Sequence, residues 1–175
     1  MSGIPLNPAT EADLPEIAAL SNWAYRGTGP QSSWTVESYL EGERTNEDAL
    51  RADLAAAPEA QILTWRDAAG ELQGHAWLEP GADDVWYLGL LSVRPDRQDR
   101  KLGRTLLTAV EDHARERGAR RMQMTVINVR DTLIAWYQRR GYALTGEARP
   151  FPYGDDRFGR PRRDDLAFVV LERGL

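Results

Sequence analysis

The sequence predicts an α/β fold built on a strand, a charged turn and a helix, and three observations carry that expectation. The run Val85 to Val93 is unbroken, apolar and rich in strand formers, and it stops at Pro95, which cannot donate a ladder hydrogen bond. After the turn, Leu102, Leu106, Leu107, Val110 and Ala114 recur at helical spacing and describe an amphipathic helix. Gly118 stops that helix, and Met122, Met124, Val126 and Ile127 supply a further strand, which completes a β-α-β crossover.

The other elements follow from shorter signals. Ile4 to Pro8 is a candidate first strand, and Thr10-Glu11-Ala12-Asp13 is a capping signal for a helix from about Glu11 to Tyr25. Leu14, Ile17, Ala18 and Tyr25 form its buried stripe, and Gly27-Thr28-Gly29-Pro30 ends it. A second helical region is expected from Thr35 or Val36 through Tyr39 and Leu40. It restarts behind a cap at Thr45-Asn46 and closes at Pro58. Gln61 to Trp65 and Leu72 to Leu78 flank Asp67-Ala68-Ala69-Gly70 and read as a hairpin, and Pro80 to Asp84 turns the chain into the central strand. Asp131 to Arg140 fits another helix, ended by Gly141. Tyr142 to Thr145 and Leu166 to Leu171 read as a closing strand pair. The segment joining them, Gly146 to Asp165, carries Phe151, Tyr153 and Phe158, which argue for order in a long connection.

Composition narrows the function. A chain of 175 residues is most simply one domain over 1–175, and 42% hydrophobic and 28% charged residues match a globular protein. A net charge of −5 argues against a general nucleic-acid binder, which needs a basic surface to neutralise phosphates. The absence of cysteine removes disulfides, thiol nucleophiles and thiolate metal sites and is compatible with a reducing compartment. Met1 to Leu20 contains no apolar block, so neither a signal peptide nor a membrane span is expected, and the cytoplasm is the default location.

The turn after Pro95 has a chemical meaning. The first turn of a helix offers backbone N–H groups without intrahelical partners at the positive end of the helix dipole. Gly103 permits close backbone approach, and Arg97, Arg100, Lys101 and Arg104 add positive charge. Charge runs at helix starts are commonly just solvated. Each cation there nevertheless opposes the dipole by roughly 0.3–1 kcal/mol, so four of them favour a compensating anion.

Leu91-Ser92-Val93-Arg94-Pro95, followed by Gln98-Asp99-Arg100-Lys101-Leu102-Gly103 and then Leu106-Leu107, resembles motif A of the GNAT superfamily of acyl-CoA-dependent N-acyltransferases. Lys101 stands where that family usually has its first glycine, and it is strained if the loop needs a positive φ there. Leu133-Ile134-Ala135-Trp136-Tyr137-Gln138-Arg139-Arg140-Gly141-Tyr142 is similar to motif B, in which a tyrosine sits four residues before a Gly-aromatic pair.

The resemblance implies a mixed central sheet of about six to seven strands, helices on both faces, and a parallel strand pair that splays to admit the cofactor's pantetheine arm. Acetyl-CoA is the implied co-substrate, with Leu91, Ser92 and Val93 pairing with that arm and the amides of Gln98, Asp99, Arg100, Lys101, Leu102, Gly103 and Arg104 holding the pyrophosphate. Tyr137 is the implied general acid for the thiolate, although spacing alone favours a buried helical aromatic and only the motif reverses that reading. The Leu91 N–H is the implied oxyanion donor. The asparagine often found seven residues before the tyrosine is replaced by Arg130. Asn128 is a cofactor contact or a helix cap.

No acid lies on the central strand to serve as base. Water could relay a proton to Glu79, Asp84, Glu147, Asp155 or Asp156, while His75 and His113 read as packed or surface residues. Acceptor recognition is expected from Trp34, Glu147, Phe151 and Tyr153, with Glu37, Asp155 or Asp156 able to face a cation. Arg149, Arg157 and Arg160 permit an acidic acceptor instead.

The expected activity is transfer of an acetyl group from acetyl-CoA to a primary amine, on a small molecule or a peptide, by direct attack in a ternary complex. No metal, nucleic acid or membrane is required, and a homodimer is compatible. The alternative is a non-catalytic acyl-CoA-binding sensor or scaffold.

Overall fold

The computed structural model describes residues 3–29 and 36–175, the side chains of Gln98, Asp99 and Phe158 excepted. In chain order the elements are β1 (Asn7–Pro8), α1 (Leu14–Arg26), β2 (Leu40–Glu41), α2 (Glu47–Ala56), β3 (Gln61–Arg66), β4 (Leu72–Glu79), β5 (Val85–Val93), α3 (Leu102–Glu116), β6 (Arg121–Ile127), α4 (Asp131–Gln138), β7 (Ala143–Pro150), β8 (Arg160–Pro161) and β9 (Ala167–Gly174). Seven strands form one mixed sheet in the order β1-β3-β4-β5-β6-β9-β7, and β2 pairs with β8 in a separate ribbon. This is the expected α/β architecture, with one parallel pair, β5 and β6, joined through α3.

Helices cover both faces because the strands bury side chains on both. On one face Leu106, Leu107, Val110 and Ala114 of α3 pack with Leu63, Ala76, Leu78, Leu88 and Met122. On the other, Leu14, Ile17 and Leu20 of α1 and Leu50 of α2 pack with Ile62 and Leu72. Local chemistry sets the helix ends. The Asn46 side chain accepts from the Ala49 N–H at 2.8 Å and so starts α2 where the sequence predicts. Gly141 follows α4 at φ +94°, and the Tyr142 N–H turns back to the Tyr137 carbonyl at 3.2 Å.

Several sequence expectations need correction. The capping signal at Thr10 opens a short 3-10 turn, Glu11–Asp13, and the α-helix begins only at Leu14. No helix forms over the described residues 36–40. There Leu40 and Glu41 pair with Pro161 and Arg160, because Leu40 is drawn into a small core with Ile127, Phe151 and Leu166. The expected closing pair does form, β7 running antiparallel to β9, but its bounds differ. β9 enters between β6 and β7, and β7 runs on to Pro150 instead of stopping at Thr145.

Two irregularities position the site. β5 and β6 pair only at Val85, Trp86 and Tyr87 with Arg121, Met122 and Gln123, so beyond that register the two strands run unpaired to each other. In the same stretch β5 carries a bulge: His75 pairs with Ser92 and Trp77 with Gly89, leaving Leu90 and Leu91 opposite the single residue Ala76. Leu90 has φ +49°, a conformation that L side chains rarely adopt. The extra residue changes the parity of the strand. Leu88 and Leu91 lie on the α3 face and Leu90 on the α1 face, where regular alternation would keep Leu88 and Leu90 together.

Candidate active site

Two cavities occupy the splay, one of about 200 Å³ beside the start of α3 and one of about 140 Å³ between β5, β6 and the beginning of β9. Both are lined by Tyr25, Leu91, Arg130, Leu133 and Tyr137, so they meet at the bulge.

The larger cavity is built on strand edge and helix start. The Tyr25 hydroxyl donates to the Leu91 carbonyl at 3.0 Å, which marks the side of β5 that faces the gap. Past the bulge, alternation along the extended strand directs both backbone groups of Val93 the same way. On the opposite side, the Arg94 N–H donates to the Gln73 carbonyl at 3.0 Å. Pro95–Arg100 form a 3-10 turn, and Lys101 precedes α3 at φ +57°, ψ +31° with no side-chain cap on the first N–H groups and no acid in the first turn. Those donors and the dipole are therefore open to an anion.

Gly103 is not required by its own φ or by crowding. A Cβ there would lie 3.6 Å from Trp136 and 4.0 Å from Val93, both cavity-lining residues, so it would intrude on cavity space. Arg140 lies 4.1 Å from the centre of the Trp136 ring, and its buried Nε makes no hydrogen bond among the described residues. Burial, with Arg104 and Arg139 nearby, holds its pKa below the ordinary arginine value. An extended strand edge unpaired to β6, open helix donors, and Arg104 and Arg140, which form no ion pair with a described residue, fit the pantetheine and phosphates of an acyl-CoA.

The smaller cavity is polar on one wall and apolar on the other. Glu37 is 5% exposed, and its two oxygens are taken by Arg26 at 2.5 Å and Arg130 at 3.2 Å. Arg44 lies 5.3 Å from the centre of the Tyr25 ring, and the Tyr87 and Thr125 hydroxyls are 3.0 Å apart. Leu40, Leu88, Phe151 and Phe168 make the apolar wall.

Tyr137 stands where the cavities join. Edge contacts with Trp136 at 5.1 Å and Tyr142 at 5.7 Å hold its ring, and its hydroxyl has no hydrogen-bond partner among the described residues. Burial pushes its pKa up, so the phenol stays protonated and is equipped to donate.

The family model described as the acetyltransferase (GNAT) family matches residues 21–142, a span that holds the strand, turn, helix and Tyr137 just described. The chain belongs to the acetyltransferase (GNAT) family. It is 29% identical over 145 residues to mycothiol acetyltransferase of Propionibacterium freudenreichii subsp. shermanii, covering 81% of this chain and 44% of that protein. The chain thus spans less than half the length of that relative. It is also 29% identical over 170 residues to the L-methionine sulfoximine/L-methionine sulfone acetyltransferase of Pseudomonas paraeruginosa, covering 95% and 92% of the two chains. The crystal structure of the ribosomal-protein-S18-alanine N-acetyltransferase from Escherichia coli superposes with a TM-score of 0.67 at 19% identity, covering 97% and 92%, and shares the fold.

In this GNAT chain the sequence-predicted residues divide clearly. Leu91, Ser92, Val93, Lys101, Gly103, Arg104 and Tyr137 line the larger cavity, and Phe151 lines the smaller. Leu102 turns its side chain into the core, and Gln98, Asp99 and Arg100 contribute backbone to the 3-10 turn. The side chain of Arg97, expected among the anion-facing cations, instead donates to Gln73 at 2.6 Å and pairs with Glu71 at 3.3 Å.

Asn128 neither caps α4 nor lines a cavity. Its amide donates to the Asp165 carbonyl at 3.0 Å and accepts from the Ala167 N–H at 3.1 Å, which fastens the lead into β9. Glu147 pairs with Arg149 at 3.0 Å on the exposed β7. The Tyr153 hydroxyl donates to the Arg163 carbonyl and accepts from the Leu166 N–H, both at 2.9 Å, and so staples its own loop. Neither lines a cavity. Trp34 lies outside the described residues.

Among the described lining residues Glu37 is the only carboxylate. Glu79, Asp84, Asp155 and Asp156 lie elsewhere, and so do His75 and His113. Sequence reading missed Tyr25, Arg44 and Arg130 as a group. Tyr25 reads only as part of the buried stripe of the first helix, Arg130 only through its register seven residues before Tyr137, and Arg44 carries no signal.

Proposed function

We propose that this chain transfers an acetyl group from acetyl-CoA to a primary amine of a small molecule by direct attack in a ternary complex. The observation that carries the reading is Tyr137, which lines both cavities and whose protonated hydroxyl has no hydrogen-bond partner among the described residues. Acetyl-CoA supplies an already activated acyl group, so the protein's contribution is positioning and charge stabilisation. The backbone edge of Leu91 and Val93 and the first turn of α3 orient that co-substrate. The Leu91 N–H is the donor we assign to charge developing on the acyl oxygen, next to the Leu91 carbonyl that Tyr25 holds. Tyr137 donates to the departing sulfur. The absence of cysteine favours direct transfer over an acyl-enzyme on a thiol. The names of the two curated relatives support a small-molecule acceptor.

The test is Tyr137→Phe, followed by release of free CoA and by acetyl-CoA binding. Loss of a general acid lowers kcat by roughly 10²–10⁴ while acetyl-CoA affinity holds. Turnover equal to wild type removes Tyr137 from the mechanism. Binding of acetyl-CoA without release on any amine of a broad panel supports the alternative, a non-catalytic acyl-CoA sensor.

A further inference from the structure

The smaller cavity carries a charge imbalance that acetyl transfer alone does not explain. Its described lining holds two guanidinium groups, Arg44 and Arg130, and one carboxylate, Glu37, which Arg26 also reaches from outside the lining. Glu37 is consumed by Arg26 and Arg130, one oxygen each. Arg44 is half-buried and lines the cavity. It rests on the Tyr25 ring, and its guanidinium makes neither a hydrogen bond nor an ion pair with any described residue. A guanidinium removed from part of its water, sharing a cavity with Arg130 and with a carboxylate already engaged by other arginines, is stabilised by an incoming anion and repels an incoming cation. Its planar fork matches a carboxylate in a bidentate arrangement. Leu40, Leu88, Phe151 and Phe168, which also line the cavity, have apolar side chains and suit a hydrocarbon substituent.

We propose that the acceptor is an amine that also bears a carboxylate, an α-amino acid with an apolar side chain, whose carboxylate is received by Arg44 in the cavity between β5, β6 and β9. This inference rests on the acetyl transfer proposed above. Arg44 binds the carboxylate, and Tyr25, stacked beneath it and bonded to the Leu91 carbonyl, ties that position to the strand edge where the acyl group is expected. The amine is thereby presented toward Leu91 and Tyr137, and the side chain lies along the apolar wall. A polyamine meets the wrong charge at the same place.

The experiment measures CoA thiol release with L-leucine, L-methionine and L-phenylalanine. Each is set against its decarboxylated amine and its amide, with spermidine as a cationic comparator. The expected result is a kcat/KM at least ten-fold higher for the acids than for the matched amines. In Arg44→Gln that ratio falls at least ten-fold, with acetyl-CoA binding retained as evidence of folding, and Arg44→Lys restores part of it.

Amines or spermidine acetylated as well as the acids, or a preference that persists in Arg44→Gln, overturns the inference and leaves acetyl transfer standing. Thiol release with none of these compounds overturns both. Loss of acetyl-CoA binding in Arg44→Gln transfers the decision to the wild-type ratio between acids and amines, which by itself supports or refutes carboxylate recognition.

Discussion

Replacing Lys101 by glycine should stabilise the folded chain while weakening its hold on acetyl-CoA. Lys101 occupies the left-handed region at φ +57°, ψ +31°, immediately before α3, where its Cβ crowds its own backbone. That conformation costs an L-residue roughly 1–2 kcal/mol, and glycine avoids the cost but gives back about 0.5–1 kcal/mol through its freer unfolded chain. The net gain is at most about 1.5 kcal/mol and centres on about 0.75 kcal/mol, which in a chain of this size raises Tm by about 2–3 °C. The same change removes a positive charge from the rim of the larger cavity, which exposed Lys101 lines, so acetyl-CoA Kd should rise several-fold, more at low salt than at high.

Lys101→Asn separates the two effects. Asparagine tolerates the left-handed region and carries no charge, so it should keep most of the thermal gain and lose the same affinity. Thermal melts without ligand and calorimetric titrations with acetyl-CoA at two salt concentrations read both quantities. A Tm for Lys101→Gly at or below wild type would falsify the strain argument. An unchanged Kd would show that the ammonium does not act on the cofactor's phosphates.

Two further outcomes follow from buried ionisable groups. His75 is fully buried beside the Ser21 hydroxyl at 3.1 Å, and burial lowers its pKa to about 3. A depressed pKa contributes stability above the unfolded value near 6.5 that is lost as pH falls toward 3. Urea unfolding should therefore show a loss of roughly 2–3 kcal/mol by pH 4.5, and His75→Gln should flatten that slope; an equal slope in the variant would remove His75 as its source. Glu111 is 4% exposed, held by the Tyr142 hydroxyl at 2.8 Å and by Arg173 at 2.9 Å. Burial raises its pKa above the usual carboxylate value in spite of both partners, so its own contribution is full below that value and is lost as pH rises through the raised one. Arg173→Met strips the carboxylate of its cation. The variant should lose about 2–3 kcal/mol at pH 7 and less at pH 4.5, where Glu111 takes up a proton. A loss independent of pH would assign the effect to packing.

Short-range pattern determined a large part of this protein. The apolar run ending at Pro95, the helical spacing from Leu102 to Ala114 and the cap at Asn46 each express a preference of a few neighbouring residues, and β5, α3 and α2 appear where those preferences put them. The aromatic of α4 four residues before Gly141 likewise needed only its motif to be singled out as Tyr137. Side chains that join distant segments were decided by tertiary structure alone. Tyr25 reaches Leu91 across 66 residues and Arg130 reaches Glu37 across 93, and no local periodicity encodes which arginine will find a carboxylate and which, like Arg44, will not. The bulge at Leu90 was equally hidden, because Gly89-Leu90-Leu91 is as apolar as a regular strand and only the pairing of His75 with Ser92 and Trp77 with Gly89 reveals the extra residue. Asn128, Glu147 and Tyr153 carry chemistry suited to a site, yet the fold brings each beside a nearer backbone group or countercharge. Hydrogen-bonding capacity is legible in a sequence, but the partner that satisfies it is chosen by packing.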